Sequence, residues 1–201
     1  MKKTIITISL LIIIAIGFLL YKNYKDNVYG VDNTNETNTA VIVRGFLDNM
    51  IAHHEEAVNI SKVVMNDLEI SDPKVRILAA NVVDQQTSQI DMMKNIYRIY
   101  LYQEYDRANV NYHNMMSADI STLKVDELAK VYKKDMIKHH KDAIDIAEDY
   151  IKLVDKIKQS TEVKQDGLVI TSSHPAIDES YMIAKDIIEK QEKEIDEMKG
   201  W

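Results

Sequence analysis

The chain has 201 residues, a formal net charge of −7 and no cysteine. The acidic balance argues against a nucleic-acid partner, which needs a basic surface, and the lack of cysteine excludes disulfides, thiolate metal sites and lipid-modified cysteine anchors. With only 5 glycines and 2 prolines, turns are few and elements are long. The composition therefore predicts an all-α domain with a core of its own.

The N-terminus predicts a membrane anchor. Lys2 and Lys3 precede an uncharged run, residues 4–21, that just reaches the length of a membrane-spanning helix. We interpret residues 1–26 as an uncleaved signal anchor that crosses the cell membrane once, with the domain on the extracytoplasmic side. The alternative is a secretory signal whose cleavage releases the domain. Residues 27–38 are polar and rich in Asn and Thr, which is typical of a tether.

Residues 39–201 carry one pattern twice. The stretch from Met50 to Ile60 recurs 86 residues later, from Met136 to Ile146. At about 100° per residue the apolar residues of each copy fall on one helical face, and a histidine pair flanks the centre of that face. The paired residues are His53, His54, His139 and His140. Imidazoles on a buried face need partners, since unpaired buried polar groups are costly.

The remaining pattern predicts two helical hairpins. They cover residues 39–97 and 125–201, with a crossover over 98–124 and a loop over 159–173 in the second hairpin. The predicted helices run from about Thr39 to Asn66, from Pro73, from about Val125 to Lys158 and from Pro175. Each hairpin is too small to bury its apolar face alone, so we predict that the two pack together as a four-helix bundle.

Methionines accompany the histidines in both copies. Met50 and Met136 lie one helical turn before the pairs, and Met93 and Met198 lie at matching positions on the facing helices. Thioether and imidazole without thiolate select soft or borderline metals, copper first, with Cu(I) favoured by methionine. The candidate ligands are Met50, His53, His54, Met93, Met136, His139, His140 and Met198. Their outer partners would be Glu56, Gln86, Asp142, Gln191 and Glu194.

Two other interpretations remain open. In the first, the histidines only satisfy a polar core through hydrogen bonds to Gln86, Gln89, Gln191 or Glu194, and the protein is a structural or interaction module. In the second, the bundle is a metal-dependent oxidase. A di-iron bundle requires Glu-x-x-His motifs, and neither histidine pair has one, so we do not expect an enzyme or an organic cofactor.

Two histidines lie outside the pairs. His113 lies in the crossover with Met115 and Met116, and together they are a candidate accessory metal site; the alternative is a methionine-bearing loop folded over the bundle. His174 precedes Pro175, so we interpret it as a helix-start residue rather than a ligand.

Both halves resemble the signature of domain-of-unknown-function family 305. In the first half the match is carried by Phe46-Leu47-Asp48-x-Met50-Ile51-x-His53-His54-x-x-Ala57-Val58. In the second half it is carried by Gln191, Glu194, Ile195, Met198 and Trp201. The resemblance implies a ferritin-like four-helix bundle and a family that includes exported copper-binding proteins linked to copper resistance. It assigns metal binding to the eight histidine and methionine positions named above, and it leads us to expect Glu where this chain has Gln89.

The sequence therefore predicts an extracytoplasmic protein that binds a metal ion, with copper as Cu(I) or Cu(II) the expected ion. Its role would be sequestration or handover in metal resistance or homeostasis. The predicted partners are the metal ion and, through residues 4–21, the membrane.

Overall fold

A computed structural model describes most of the chain from residue 33 onward. Four helices dominate it: α1 (Asn33–Asn66), α2 (Pro73–Tyr100), α3 (Val125–Gln159) and α4 (Pro175–Lys199). The residues from Asn38 onward form one compact unit. The described residues are 33–67, 70, 72–110, 116, 124–159, 163–165, 168–170 and 174–200.

The predicted membrane anchor, residues 1–26, lies outside the described residues. None of the helices among the described residues contains an apolar stretch long enough to cross a membrane. The anchor stays a prediction from the sequence.

The helix boundaries follow local signals. Asp72 Oδ1 accepts a hydrogen bond from Lys74 N at 2.9 Å, and His174 Nδ1 accepts one from Ala176 N at 3.2 Å, so both proline-started helices are capped by a side chain. The role of His174 as a helix-start residue is thus confirmed. Helix α1 begins six residues before the predicted Thr39, because no glycine or proline interrupts the chain there.

The prediction of an irregular loop over residues 159–173 was wrong in part. It contains a short antiparallel hairpin of β1 (Val163–Gln165) and β2 (Leu168–Ile170), in the register Val163 to Ile170. Three of these six residues are Val or Ile, which favour extended backbone. A short 3-10 turn, Arg107–Asn109, lies within the predicted crossover.

Contacts between helices give their directions. Helix α1 packs antiparallel to α3, since Phe46 stacks on Tyr150 with ring centroids 4.2 Å apart and Ser61 bonds to Tyr132 further along, at 2.7 Å. Helix α4 is likewise antiparallel to α3, with Tyr150 bonded to Ser180 and His140 to Glu194.

Helix α2 contacts α1 through Tyr97 and Asp48, and α4 through Tyr100 and Glu179. Every adjacent pair is therefore antiparallel, and the parallel pairs, α1 with α4 and α2 with α3, lie on the diagonals. Because α2 and α3 run the same way, the end of α2 and the start of α3 lie at opposite ends of the bundle.

A buried polar layer divides the core into two apolar clusters. The Phe46 cluster includes Phe46, Met50, Met93, Tyr150 and Ile177. The Tyr132 cluster includes Val64, Leu78, Tyr132, Met136 and Met198. Between them each helix contributes two buried polar residues to what we call the histidine layer: His53, His54, Gln86, Gln89, His139, His140, Gln191 and Glu194. The predicted burial of both histidine pairs is confirmed.

Candidate metal centre

Adjacent histidines on one helix point to different neighbours, because successive residues are about 100° apart around the axis. His53 faces α3, where its ring centroid lies 3.6 Å from that of His139. His54 faces α2, where its Nε2 lies 2.8 Å from Gln89 Oε1. Each pair thus divides its two rings between two neighbouring helices.

The second pair repeats this geometry. His140 Nε2 lies 2.6 Å from Glu194 Oε2 on α4, as His54 bonds to Gln89 on α2. His53 and His139 are equivalent positions, 86 residues apart, and they contact each other, so a pseudo-two-fold axis runs between their rings. Gln89 and Glu194 lie one turn before Met93 and Met198, so the predicted proximity of the pairs to the methionine-bearing helices is confirmed.

The four methionines predicted as ligands are all fully buried. Met50 and Met93 belong to the Phe46 cluster, and Met136 and Met198 belong to the Tyr132 cluster. Thioether sulfur therefore lies on both sides of the histidine layer. Within the described part of the chain, His, Asp and Glu by themselves form no group of three arranged to hold an ion.

Hydrogen bonding determines the tautomer of His54. Gln89 Nε2 donates to Asp186 Oδ2 at 2.9 Å, which orients the amide so that its Oε1 faces His54. His54 Nε2 must then carry the proton and donate it, which leaves the lone pair on Nδ1. That Nδ1 is buried and has no hydrogen-bond partner among the described residues, and the same holds for the Nδ1 of His140. Such partners orient the metal-binding histidines of known sites in the same manner.

Burial keeps three of the imidazoles neutral at physiological pH. It lowers the pKa of His54 to about 3, although the bond to Gln89 acts in the opposite direction. Burial and the proximity of His139 lower the pKa of His53 well below its ordinary value. Burial also lowers the pKa of His139, against the opposing effect of Glu56. Neutral imidazole is the form that binds a metal ion.

The predicted outer partners differ in what they contact. Glu56 Oε2 lies 3.4 Å from His139 Nε2, while its Oε1 accepts a hydrogen bond from Met116 N at 3.0 Å. Gln86 and Gln191 are only 1% exposed, yet neither side-chain amide has a hydrogen-bond partner among the described residues. One carboxylate oxygen of Asp142 is also buried without a hydrogen bond from any described residue. Unpaired buried polar atoms in one layer fit a site that binds a polar or charged species.

The accessory site stays a prediction. His113 and Met115 lie outside the described residues. Met116 is partly buried and packs against the Tyr132 cluster, which agrees with the alternative of a crossover folded over the bundle.

Sequence reasoning missed the role of Asp186. This partly exposed residue accepts a hydrogen bond from the Gln89 amide and forms an ion pair with Lys190 at 2.8 Å. It therefore links the histidine layer to the surface. The repeat provides no signal for it, because Asn81 stands at the equivalent position of α2. The contact depends on how α2 and α4 align, which no local pattern reveals.

The fold and the site together define a four-helix bundle with a duplicated histidine layer at its centre. The chain belongs to the family described as Domain of unknown function (DUF305), whose match covers residues 43–201. Among curated proteins, none matches the chain.

Several solved structures share the fold. A structure of CopM in the Cu(II)-bound form is 22% identical, covers 79% of this chain and 94% of that chain, and has a TM-score of 0.58. A DUF305 fragment from Deinococcus radiodurans is 19% identical, with 79% and 93% covered and a TM-score of 0.58. A DUF305 protein from Streptomyces coelicolor is 21% identical, with 78% and 88% covered and a TM-score of 0.57. CopM structures in Cu(I)-bound and Ag-bound forms are similar as well.

Proposed function

We propose that this protein binds copper, as Cu(I) or Cu(II), in the histidine layer and sequesters it or hands it over outside the cytoplasm. The observation that carries the proposal is the meeting of four buried imidazoles between two pairs of buried thioethers. Nitrogen and sulfur donors without thiolate suit copper better than they suit magnesium or calcium. CopM, which shares the fold, has structures in Cu(II)-, Cu(I)- and Ag-bound forms.

The donors divide by their chemistry. Imidazole nitrogen binds both oxidation states, while thioether sulfur favours Cu(I). The lone pairs on His54 Nδ1 and His140 Nδ1 are available without loss of the Nε2 bonds that orient the rings. Gln89 and Glu194 would therefore hold the two rings in place while the ion is bound.

The proposal extends to architecture and location. Two hairpins joined by one long crossover support assignment to the ferritin-like bundles. The uncharged run over residues 4–21 supports a single-pass anchor with the domain on the extracytoplasmic side. The function is binding rather than catalysis, because the histidine pairs lack the Glu-x-x-His motifs of a di-iron oxidase.

One observation favours a second candidate function, a structural or interaction module without metal. The bonds from His54 to Gln89 and from His140 to Glu194 satisfy one nitrogen of each ring within the protein itself. In that case the histidine layer only specifies how the helices align.

Copper titration of the full chain in detergent tests the proposal, with Cu(I) and Cu(II) affinities measured by competition against a chromophoric chelator. Replacing His53 and His54 together by Ala should lower the affinity for both ions by about ten-fold or more. A double variant with Met50→Leu and Met93→Leu keeps the core volume. It should lower the affinity for Cu(I) more than the affinity for Cu(II).

Met65→Leu is the matched control, because Met65 packs against the Tyr132 cluster outside the histidine layer. It should bind both ions like the unaltered protein. Equal copper binding by all four proteins, or no binding by the unaltered one, would overturn the proposal in favour of the interaction module.

A further inference from the structure

A surface groove between α2 and α4 has a composition that the histidine layer does not explain. Its volume is about 460 Å³, and its lining includes Met92 and Ile99 from α2 and Met182 from α4. The exposed fractions are 37% for Met92, 56% for Ile99 and 64% for Met182. Unlike the four buried methionines of the core, these two thioethers are accessible to an ion in solution.

The helix register brings the two methionines together. Gln89 bonds to Asp186 and Tyr100 bonds to Glu179, so α2 and α4 are cross-linked at two levels. Met92 lies between these levels on α2, and Met182 lies between them on α4. Both side chains line the same groove, and the long flexible thioethers can converge there.

The groove lies beside a hydrogen-bonded path to the centre. Met92 follows Gln89 by one helical turn, and Met182 precedes Asp186 by one turn. Asp186 accepts from Gln89, and Gln89 accepts from His54 in the histidine layer. The two surface thioethers are thus next to a chain of side-chain contacts that connects a partly exposed carboxylate to a buried imidazole.

The methionine pair is not a by-product of the duplication. The positions equivalent to Met92 and Met182 in the other copy are Glu197 and Ile77, which carry no sulfur. Packing does not require methionine either, since both side chains are substantially exposed. Among the described residues, the equivalent place in the repeat therefore has no such methionine pair.

We propose that the groove is a surface site for a soft monovalent metal ion, held by the thioethers of Met92 and Met182, and that it delivers the ion past Asp186 and Gln89 to the histidine layer. The inference rests on the copper-binding function proposed above. Two thioethers without thiolate or imidazole make a weak and labile site, which suits transfer rather than storage. Asp178 and Glu179 at the same groove add negative charge, although Asp178 pairs with Lys158 and Glu179 bonds to Tyr100.

The test follows the methionine methyl groups of the full chain in detergent by NMR, with 13C-methyl methionine and Ag(I) as the redox-stable probe. The Met92 and Met182 methyl signals should shift on the first additions of Ag(I), and they should still shift when His53 and His54 are both Ala. In the variant Met92→Leu with Met182→Leu, the signals of the four buried methionines should reach the same end point several-fold more slowly.

Ile99→Leu is the matched control, because it alters an exposed apolar residue of the same groove without removing sulfur. It should load at the rate of the unaltered chain. Shifts confined to the buried methionines, or equal loading rates in all variants, would overturn this inference and leave the central copper site intact. No shift at any methionine would overturn both proposals.

Discussion

Gln89 combines two contacts that no carboxylate can make together. Its Oε1 accepts from His54 while its Nε2 donates to Asp186. The equivalent residue of the second hairpin is Glu194, which contacts His140. Glutamate was expected at position 89 from the family pattern, and the neighbouring Asp186 explains the exception, because two carboxylates at hydrogen-bond distance repel each other.

This explanation predicts the effect of Gln89→Glu. The change places a carboxylate against Asp186 and removes the donated hydrogen bond, so we expect the free energy of unfolding to fall by about 1–3 kcal/mol. Adding Asp186→Asn restores a donor opposite the introduced carboxylate and should recover most of the loss. Urea unfolding of the two single variants and the double variant measures it, and a Gln89→Glu protein as stable as the unaltered chain would contradict the explanation.

The second helix of each hairpin starts in the same manner, with a capping side chain followed by proline. Asp72 caps α2 and His174 caps α4. Both starts were predictable because a cap and a proline are local signals. The start of α1 has no such marker, and the prediction placed it six residues too late.

Removal of the Asp72 cap should therefore weaken the bundle. Asp72→Ala leaves Lys74 N without its acceptor, and we expect a loss of about 1 kcal/mol in the free energy of unfolding. Asp72→Asn retains an oxygen that can cap the helix, so it should lower the free energy of unfolding much less than Asp72→Ala does. Thermal unfolding followed by circular dichroism compares the two, and equal melting temperatures for the Ala and Asn variants would show that the cap contributes nothing.

The whole molecule has a core interrupted at mid-height by buried histidines that are neutral in the folded state. His53, His54 and His139 all have a pKa below the ordinary value because of burial. In the unfolded chain the same residues titrate near about 6.5. Below that pH the unfolded state binds protons that the folded state does not, so acid favours unfolding.

The contribution of these histidines to the free energy of unfolding should therefore be fully present above about pH 6.5. It should be lost as the pH drops towards their pKa values in the folded state. For His54, whose folded-state pKa is about 3, the loss between about pH 7.5 and about pH 5.5 is about 1.4 kcal/mol. Urea unfolding of the metal-free protein at these two pH values measures the combined loss from the buried histidines, and the difference from His54→Gln gives the share of His54. His54→Gln should show a shallower pH dependence than the unaltered chain, whatever its absolute stability, and an unchanged slope would contradict the assignment.

The helices, their order, the duplication and the burial of the histidine pairs were all predictable from the sequence. These features depend on periodicity, caps and breakers within a few residues, so the information is local. Part of the helix pairing also followed from it, since each hairpin places α2 beside α1 and α4 beside α3. The hairpin of β1 and β2 was missed, because three-residue strands are too short to show a period.

Which polar groups meet could be read only from the packing of the folded chain. Whether His53 contacts His139, whether Gln89 reaches Asp186 and whether Met92 shares a groove with Met182 all depend on the alignment of helices that are far apart in sequence. A shift of one turn, about 5.4 Å, would replace every one of these partners while leaving each helix and its apolar face unchanged. That alignment is set by the packing of the two apolar clusters above and below the histidine layer, which acts between helices and not along the chain.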